Sequence, residues 1–277
     1  MRIVTHDSSF HTDDVFAVAT LLLVLGEAEV IRSRDPEIQA TADYLVDTGM
    51  KYDPANRIFD HHQSGGAGIR EDGIPYASFG LVWKEYGEKL TGGKEESKVI
   101  EQKLVMPIDA HDNGVTIAEY RFEGVREYAI GNFLATFEDF MEAVKVAKEV
   151  LTKEIALAKK LVSDREKILN AYEESPDKRL IILDEDFEGW NDVLRSKPEP
   201  LYVIYPRPDK GFTLQAVQEE GFKSRKPLPA SWRGHEKARL EEITGVPGAI
   251  FCHREGFMAT NKTKEAAEKL AEIALNS

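Results

Sequence analysis

The sequence is short of cysteine, of positive charge and of long apolar runs. Its single cysteine, Cys252, excludes an internal disulfide framework and a cysteine-rich zinc site, and it favours a cytoplasmic location. Lys and Arg number 36 against 49 Asp and Glu, a formal charge of −13, which excludes a broad basic face for binding duplex nucleic acid. The longest apolar stretch, residues 15–25, is interrupted by Thr20 and is too short to span a bilayer. Residues 1–6 are typical of a strand, so we expect no signal peptide there and no membrane partner.

The first half of the chain alternates short apolar runs with helical patterns. We expect strands at residues 2–5, 29–31, 44–46 and 57–59, and helices at residues 14–25, 36–43, 78–86 and 95–107. This alternation predicts an α/β fold with a mostly parallel N-terminal sheet. Ligands of such sheets bind outside the carboxyl ends of the strands, where His6, Asp47 and Asp60 are expected.

The second half begins with a long amphipathic helix. Apolar residues recur at spacings of three and four over residues 137–174, and Pro176 ends the pattern. Strands are expected at residues 180–183, 201–205 and 212–217, with a terminal helix at residues 262–275. We therefore predict an N-terminal metal-binding domain at residues 1–130, a helical connector at 131–177 and a smaller α/β domain at 178–277. The long helix could pack within the chain or against a second copy, which leaves a homodimer open.

Imidazole and carboxylate side chains are concentrated near the expected strand ends. They are His6, Asp7, His11, Asp13, Asp14, Asp47, Asp60, His61 and His62, followed later by Asp109 and Asp112. Such mixed ligands suit Mn, Fe, Co or Zn, and a magnesium-only site is less favoured because magnesium prefers oxygen ligands. Two such ions about 3.5–4 Å apart can activate a water and clamp a phosphoryl group. Asp47, at the end of an apolar strand, is placed to bridge them.

Each carboxylate also has a purely structural interpretation. An aspartate after a strand often forms a turn, and Asp13 or Asp14 could cap the helix that they open. The adjacent pair His61-His62 has little packing value, and the ligand types agree with one another, so the set as a whole favours a metal site.

The triplet Asp60-His61-His62 resembles the name-giving motif of the DHH phosphoesterases. Asp47 is similar to their second motif, and His6, His11 and Asp13 are similar to the first, although His11 stands where most members have aspartate. A closer resemblance is to the MYG family (melanocyte proliferating gene proteins), a divergent DHH branch. The ordered matches are T-H-D, F-H-T-D, R-S-R-D-P, D-H-H-Q, D-N-G, G-W, L-P with S-W-R-G, and F-C-H with G-F, from residue 5 to residue 257.

The resemblance implies a role for each residue. The metal ligands would be His6, His11, Asp13, Asp47, His61 and either Asp109 or Asp112, between which the spacing does not choose. His62 would face the scissile phosphate as general acid or charge stabiliser, and Asp60 would orient the histidines. The cofactor would be two Mn²⁺ ions, with Mg²⁺, Co²⁺ or Zn²⁺ as alternatives. The N-terminal domain would be of DHH type and catalytic, and the C-terminal domain would bind substrate.

Candidate substrate contacts are arginines and aromatic residues. The segment Phe222 to Pro229 is locally basic. The candidate phosphate contacts are Arg34, Arg225 and Arg233, whose guanidinium groups suit phosphate oxygens, together with His253. Trp232 or Phe257 could stack on a base. The structural alternative is a solvated basic loop and core aromatics.

The ligand set predicts a metal-dependent phosphodiesterase, and the resemblance to the MYG family implies a 3′-5′ exonuclease that acts on RNA or short oligonucleotides. A hydrolase of a small phosphoanhydride or cyclic dinucleotide is the enzymatic alternative. A non-catalytic RNA-binding scaffold on a DHH fold is the alternative from another class.

Overall fold

The alternating pattern of the first half folds as a sheet flanked by helices. The computed structural model describes residues 1–208, 211–219, 221 and 223–277 and divides the chain into two units, residues 1–159 and 160–277. The boundary lies inside the long helix α7 (Phe140–Glu174). The finer division at residues 130 and 177 remains our proposal.

Unit 1 is built on a five-stranded, mainly parallel sheet. Its strands are β1 (Arg2–Thr5), β2 (Glu29–Arg32), β3 (Tyr44–Val46), β4 (Tyr52–Asp53) and β5 (Ile58–Phe59), in the order β2-β1-β3-β5-β4. β1 pairs in parallel with β2 and β3, and β3 pairs in parallel with β5. β4 pairs antiparallel with β5, so the parallel character is partial even in this sheet.

Helices cover this sheet and carry much of its core. They are α1 (Thr12–Leu25), α2 (Pro36–Gln39), α3 (Ser78–Thr91), α4 (Lys94–Ile100), α5 (Met106–Asp112), α6 (Ile130–Leu134) and the first part of α7. A π-helical turn, Glu101–Val105, joins α4 to α5. Buried Phe16 of α1 packs on Phe79 of α3, with ring centroids 5.2 Å apart.

The helix expected over residues 36–43 is shorter than its pattern predicts. α2 ends at Gln39 because Asp43 already belongs to the edge of the sheet. The backbone N–H of Asp43 donates to the carbonyl of Arg2, and its side chain accepts from the backbone N–H of Arg2.

Unit 2 contains a second five-stranded sheet, which is mostly antiparallel. Its strands are β6 (Leu180–Ile182), β7 (Tyr202–Arg207), β8 (Gly211–Ala216), β9 (Ala249–Cys252) and β10 (Met258–Asn261), in the order β6-β7-β8-β10-β9. Only β6 and β7 pair in parallel among these described strands. The helices are α8 (Trp190–Arg195), α9 (Lys237–Thr244) and α10 (Lys264–Asn276). The α/β class is thus confirmed.

None of the helices in the described residues is at once long enough and apolar enough to cross a membrane. The 35-residue helix α7 has the length, but it carries many lysines and glutamates.

Candidate metal centre

The sheet of unit 1 brings the candidate ligands to one edge. His6 follows β1, Asp47 follows β3, and His61 comes two residues after β5. These three strands are parallel neighbours, so their carboxyl ends meet. The first turn of α1 adds Asp13, and the last turn of α5 adds Asp112.

Asp47 lies between two histidines and faces each with a different oxygen. Its Oδ2 atom is 3.3 Å from Nε2 of His6, and its Oδ1 atom is 3.3 Å from Nε2 of His61. Asp112 lies on the far side of His61, with Oδ2 at 3.1 Å from the same Nε2 atom. Each oxygen of Asp47 thus faces a different histidine, as would be required of a carboxylate that bridges two cations.

Three overlapping groups of side chains have donor atoms within 4.8 Å of one another. They are His6 with His11 and Asp47, Asp47 with His61 and His62, and His11 with Asp13 and Asp112. Asp47 and His11 each belong to two groups, so the three form one continuous cluster.

The tautomer of His6 directs a lone pair into the cluster. Its Nδ1 atom is 2.8 Å from the carbonyl oxygen of Asp7, which can only accept, so Nδ1 carries the proton. The Nε2 atom of the neutral ring then offers a lone pair towards the carboxylates of Asp14 and Asp47, at 3.0 and 3.3 Å. Such an arrangement requires a cation or a proton between the atoms.

Several buried polar atoms of the cluster have no hydrogen-bond partner among the described residues. They are Nε2 of His6, Nε2 of His61, both side-chain oxygens of Asp13, and Oδ2 of Asp14. The short contacts of the two histidines with carboxylates are not aligned as hydrogen bonds. Buried polar groups in proteins are nearly always satisfied, so these atoms fit a bound divalent cation by position and by chemistry.

Mutual repulsion among the carboxylates shapes the charge of the centre. Burial raises the pKa of Asp13 well above its usual value, and the charges of Asp47, Asp112 and Asp14 raise it further. Burial opposes ionisation of Asp47 too, but His6, His61 and Ser78 hold the pKa of this carboxyl below its usual range.

The adjacent carboxylates stabilise the protonated forms of the two central histidines, His6 and His61. Burial alone would lower their pKa values, but the adjacent carboxylates outweigh burial and raise the pKa of His6 and of His61 to about 10. The centre therefore demands positive charge, which protons or divalent cations can supply.

The backbone of Asp47 is held in an unusual conformation. Its φ of 52° lies in the left-handed region, which is uncommon for a residue other than glycine. The hydroxyl of Ser78, at the start of α3, donates to Oδ1 of Asp47 at 2.8 Å. Ser78 is a contributor that the sequence did not reveal, since it was expected only as a helical residue. Asp14 was among the candidate carboxylates of the sequence, with a helix cap as its structural alternative.

Asp60 holds His62 in place and is not one of the grouped ligands. It is fully buried, and its Oδ1 atom accepts from the backbone N–H of His62 at 3.1 Å and from Nδ1 of the same residue at 2.8 Å. Its Oδ2 atom accepts from the backbone N–H of Met50. The side chain of His62 is 53% exposed, so its ring reaches solvent at the edge of the cluster.

The structure separates Asp109 from Asp112, which the sequence left as equal candidates. Asp112 lies in the cluster, whereas Asp109 is buried in an ion pair with Arg70, Oδ2 to Nη2, at 2.7 Å. The second oxygen of Asp109 accepts from the backbone N–H of Gly80 at 3.0 Å. Both oxygens are satisfied, so Asp109 takes no part in the ligand set that we propose below.

The expected phosphate contacts fall in both units. In unit 1, Arg34 pairs with exposed Asp7, the neighbour of His6, at 3.0 Å. In unit 2, Arg225 pairs with Glu219 and donates to the carbonyls of Arg195, Lys197 and Pro200, so its donors are occupied. Phe222, from the same basic segment, lies outside the described residues.

Two further residues of unit 2 lie in the loops beside β9. Nε of Arg233 donates to the carbonyl of Leu228 at 2.9 Å. The ring of His253 packs on Phe257, with centroids 4.4 Å apart. Trp232, considered as a stacking residue, is only 3% exposed and belongs to the core of unit 2, because the 3₁₀ turn Ala230–Trp232 directs it inward.

The chain matches one family model over nearly its whole length. The model, MYG1_exonuc, is described as an uncharacterised protein family (UPF0160) and matches residues 2–275. The human protein named MYG1 exonuclease is 29% identical, over 99% of this chain and 85% of its own length. MYG1 protein C694.04c of Schizosaccharomyces pombe is 30% identical over 100% of this chain and 98% of its own. A Chlamydia trachomatis MYG1 protein is 28% identical over 98% and 95%.

Two solved exonuclease structures are distant matches. The manganese complex of RecJ from Thermus thermophilus has a TM-score of 0.31 and 14% identity, and the match covers all of this chain and 52% of that one. The chain thus spans about half the length of that RecJ. A second RecJ bound to manganese has a TM-score of 0.28 and 13% identity, with 90% of its chain covered.

Proposed function

The chain belongs to the MYG1 exonuclease family, and from this premise we propose that it is a metal-dependent nuclease that shortens RNA or short oligonucleotides from the 3′ end. One observation carries the proposal: Asp47 turns one oxygen towards His6 and the other towards His61, and the buried Nε2 atoms of both histidines have no hydrogen-bond partner among the described residues.

The proposed ligand set has six members. They are His6, His11, Asp13, Asp47, His61 and Asp112. Two bound divalent ions, Mn²⁺ in this proposal, would supply Lewis-acid activation of a water and neutralise phosphate charge. The chain itself holds the ligands, with Ser78 and Asp14 orienting the carboxylate and the imidazole that they contact.

His62 is the proposed proton donor or charge stabiliser at the scissile phosphate. Asp60 accepts from Nδ1 of His62 and so fixes the ring, while more than half of the side chain is exposed for contact with substrate. Arg34, close to His6 through Asp7, is the proposed phosphate contact in unit 1. Arg233 and His253 are the proposed contacts in unit 2.

The test is a nuclease assay on a short single-stranded RNA labelled at either end, with Mn²⁺, Mg²⁺, Zn²⁺ or a chelator. Asp47→Asn and His61→Gln should each lower the rate of Mn²⁺-dependent shortening. The loss should exceed about 10–100-fold, which is typical when only a hydrogen-bond partner of a metal ligand is lost. His111→Gln is the matched control, because His111 is the exposed neighbour of Asp112 and belongs to none of the donor groups. Its activity should equal that of the wild type.

The pattern of products separates the alternatives. Stepwise loss of the 3′ label supports the proposal, and stepwise loss of the 5′ label reverses the proposed polarity. Bound metal without cleavage favours a phosphoanhydride or cyclic dinucleotide as substrate, and absence of bound metal favours a binding scaffold.

A cytoplasmic location and a homodimer are further proposals, which rest on the sequence expectations alone. Cell fractionation and a mass measurement in solution test them.

A further inference from the structure

A long exposed loop follows directly on the candidate metal centre. Residues 115–129 form neither helix nor strand, and every residue from 116 to 129 is exposed. Loops of this length without secondary structure are uncommon in folded domains and are usually functional. We call residues 115–129 the aromatic loop.

The loop presents large apolar side chains to solvent. The most exposed aromatic side chains among the described residues are here: Tyr128 at 72%, Phe122 at 65% and Tyr120 at 50%. Ile117 and Val125, at 56% and 60%, add to the same surface. A concentration of exposed apolar side chains of this kind marks an interaction site.

Both ends of the loop are fixed at the rim of the metal centre. At its start, the backbone N–H of Val115 donates to the carbonyl of Ala110 in α5, the helix that ends at Asp112. Just beyond its end, Gly131 packs so tightly on Thr12 that a Cβ atom there would lie 2.8 Å from the Thr12 hydroxyl. Thr12 stands between His11 and Asp13, so the loop leaves and re-enters the fold beside proposed ligands.

Arginines support two of the rings. The guanidinium of Arg126 lies over Tyr120 at 4.4 Å, and that of Arg121 lies 5.8 Å from the centre of the Phe122 ring. Such contacts hold flat surfaces in place, and an aromatic ring with an arginine is the common composition of a base-stacking site.

The charge of the loop decides which part of a nucleic acid it fits. It carries two arginines and the glutamates 119, 123 and 127, a net charge of 2 − 3 = −1. It therefore offers no electrostatic attraction to a phosphate backbone, whereas stacking on a base face requires no positive charge. Only unpaired bases present such faces, which favours single strands.

We propose that the aromatic loop is a stacking platform for the bases of single-stranded nucleic acid next to the metal centre. The proposal rests on the proposed function and adds how the substrate is held. Tyr128 is three residues from Gly131, hence within about 10 Å of it along the backbone, which places its ring close to the bases that flank the scissile phosphate.

The test compares a substrate with bases and one without them. The full-length chain with Mn²⁺ is assayed on oligoadenylate and on an abasic oligonucleotide of the same length. Combining Tyr120→Ala, Phe122→Ala and Tyr128→Ala should raise KM for oligoadenylate by about 10–100-fold, from the loss of base stacking. KM and turnover for the abasic oligonucleotide should not change. The dependence of KM on salt should also keep its slope, because no phosphate contact is lost.

Two further variants serve as controls. Tyr120→Phe combined with Tyr128→Phe should keep the wild-type KM, because stacking uses the ring and not the hydroxyl. Met141→Ala removes an exposed apolar side chain from α7 and should have no effect on either substrate.

Other outcomes overturn the proposal. An equal loss on both substrates would assign the loop a structural role in the metal centre. An unchanged KM for oligoadenylate, with a change from dimer to monomer by mass, would make a second copy of the chain its partner.

A binding measurement tests the stacking platform independently of nuclease activity. If the wild type cleaves no oligonucleotide, the nuclease proposal fails, and a phosphorothioate oligonucleotide that contains 2-aminopurine then decides about stacking. Quenching by the wild type but not by the triple alanine variant supports the platform, and absence of quenching by the wild type rejects it.

Discussion

Gly80 shows how a single missing side chain determines where a buried carboxylate goes. A Cβ atom at this position would lie 1.8 Å from Oδ2 of Asp109 and 2.6 Å from Nη2 of Arg70. The space left by the glycine is filled by the ion pair, in which Asp109 is fully buried and Arg70 is 7% exposed. Asp109 is thereby held away from the metal centre, although it is only three residues from Asp112.

We expect Gly80→Ala to destabilise the protein, although alanine is the better helix former. Helix propensity would favour alanine by about 1 kcal/mol. Separating a buried ion pair costs about 3–5 kcal/mol, so we expect the free energy of unfolding to fall by roughly 2–4 kcal/mol. Denaturant unfolding of the variant and the wild type measures this difference.

A double-mutant cycle identifies the cause of the loss. In the background of Asp109→Ala, which removes the clashing carboxylate, Gly80→Ala should cost much less than in the wild type. Equal costs in the two backgrounds would mean that the clash with Asp109 is not responsible.

At the scale of elements, the π-helical turn between α4 and α5 sets the direction of the ligand-bearing helix. Residues 94–112 are helical throughout, and the π turn Glu101–Val105 lies between the two α-helical segments. The extra residue of a π turn rotates the helix after it by about 100° relative to a regular helix. Glu101 at its start accepts from Arg70, and Asp112 at the end of α5 reaches the cluster.

Insertion of one alanine after Lys103 should therefore weaken metal binding more than it weakens the fold. The π turn already accommodates one extra residue, so a second extra residue would rotate α5 by about 100° and turn Asp112 away from His61. We expect unchanged helicity by circular dichroism and Mn²⁺ binding weaker by about tenfold or more in titration calorimetry, as for loss of a ligand partner.

The point variant Lys103→Ala is the control for this insertion. It removes only the exposed ion pair with Glu154 and keeps the length of the π turn, so its affinity for Mn²⁺ should match the wild type. Loss of affinity in Lys103→Ala as well would show that the ion pair matters and the helical register does not.

At the scale of the whole molecule, the metal centre links stability to pH. The pKa values of His6 and His61 rise from 6.5 to about 10 in the folded protein, so the folded state binds these protons more tightly than the unfolded state. The resulting stabilisation is complete below pH 6.5 and is lost as the pH rises towards 10. The raised pKa of Asp13 acts in the same direction.

We expect the melting temperature in a chelator to fall steadily as the pH is raised from about 7 to 9. With Mn²⁺ the fall should be much smaller, because bound cations replace the protons, and the melting temperature should be higher by mass action. Thermal unfolding at several pH values, with and without Mn²⁺, provides the measurement.

Asp47→Asn tests the origin of this dependence. The substitution removes a charge that raises the pKa of both histidines, so in a chelator its melting temperature should depend less on pH. If the melting temperature of the variant depended on pH as steeply as that of the wild type, other titrating groups would be the cause of the pH dependence.

The amino-acid sequence determined the local structure of unit 1 and the chemical character of its centre. Apolar runs that end in polar residues predict β1, β3 and β5 and place His6, Asp47 and Asp60 after them, because strand propensity and burial act over a few residues. The family resemblance stated from the ordered motifs is confirmed by the match over residues 2–275. The roles of the individual ligands stay predictions.

Only the tertiary structure decided which of the candidate side chains meet. The sequence does not distinguish Asp109 from Asp112 as a ligand. Only Asp109 is buried in an ion pair, because Arg70 and Gly80, which are distant along the chain, provide its partner and the space for it. β9 and β10 were not recognised, because their pairing depends on contacts with β8 and not on a local pattern. Trp232 has the same residue type whether it stacks on a base or fills a core, and only packing placed it inside. Local patterns specify elements and residue chemistry, whereas contacts between distant segments specify which groups share a site.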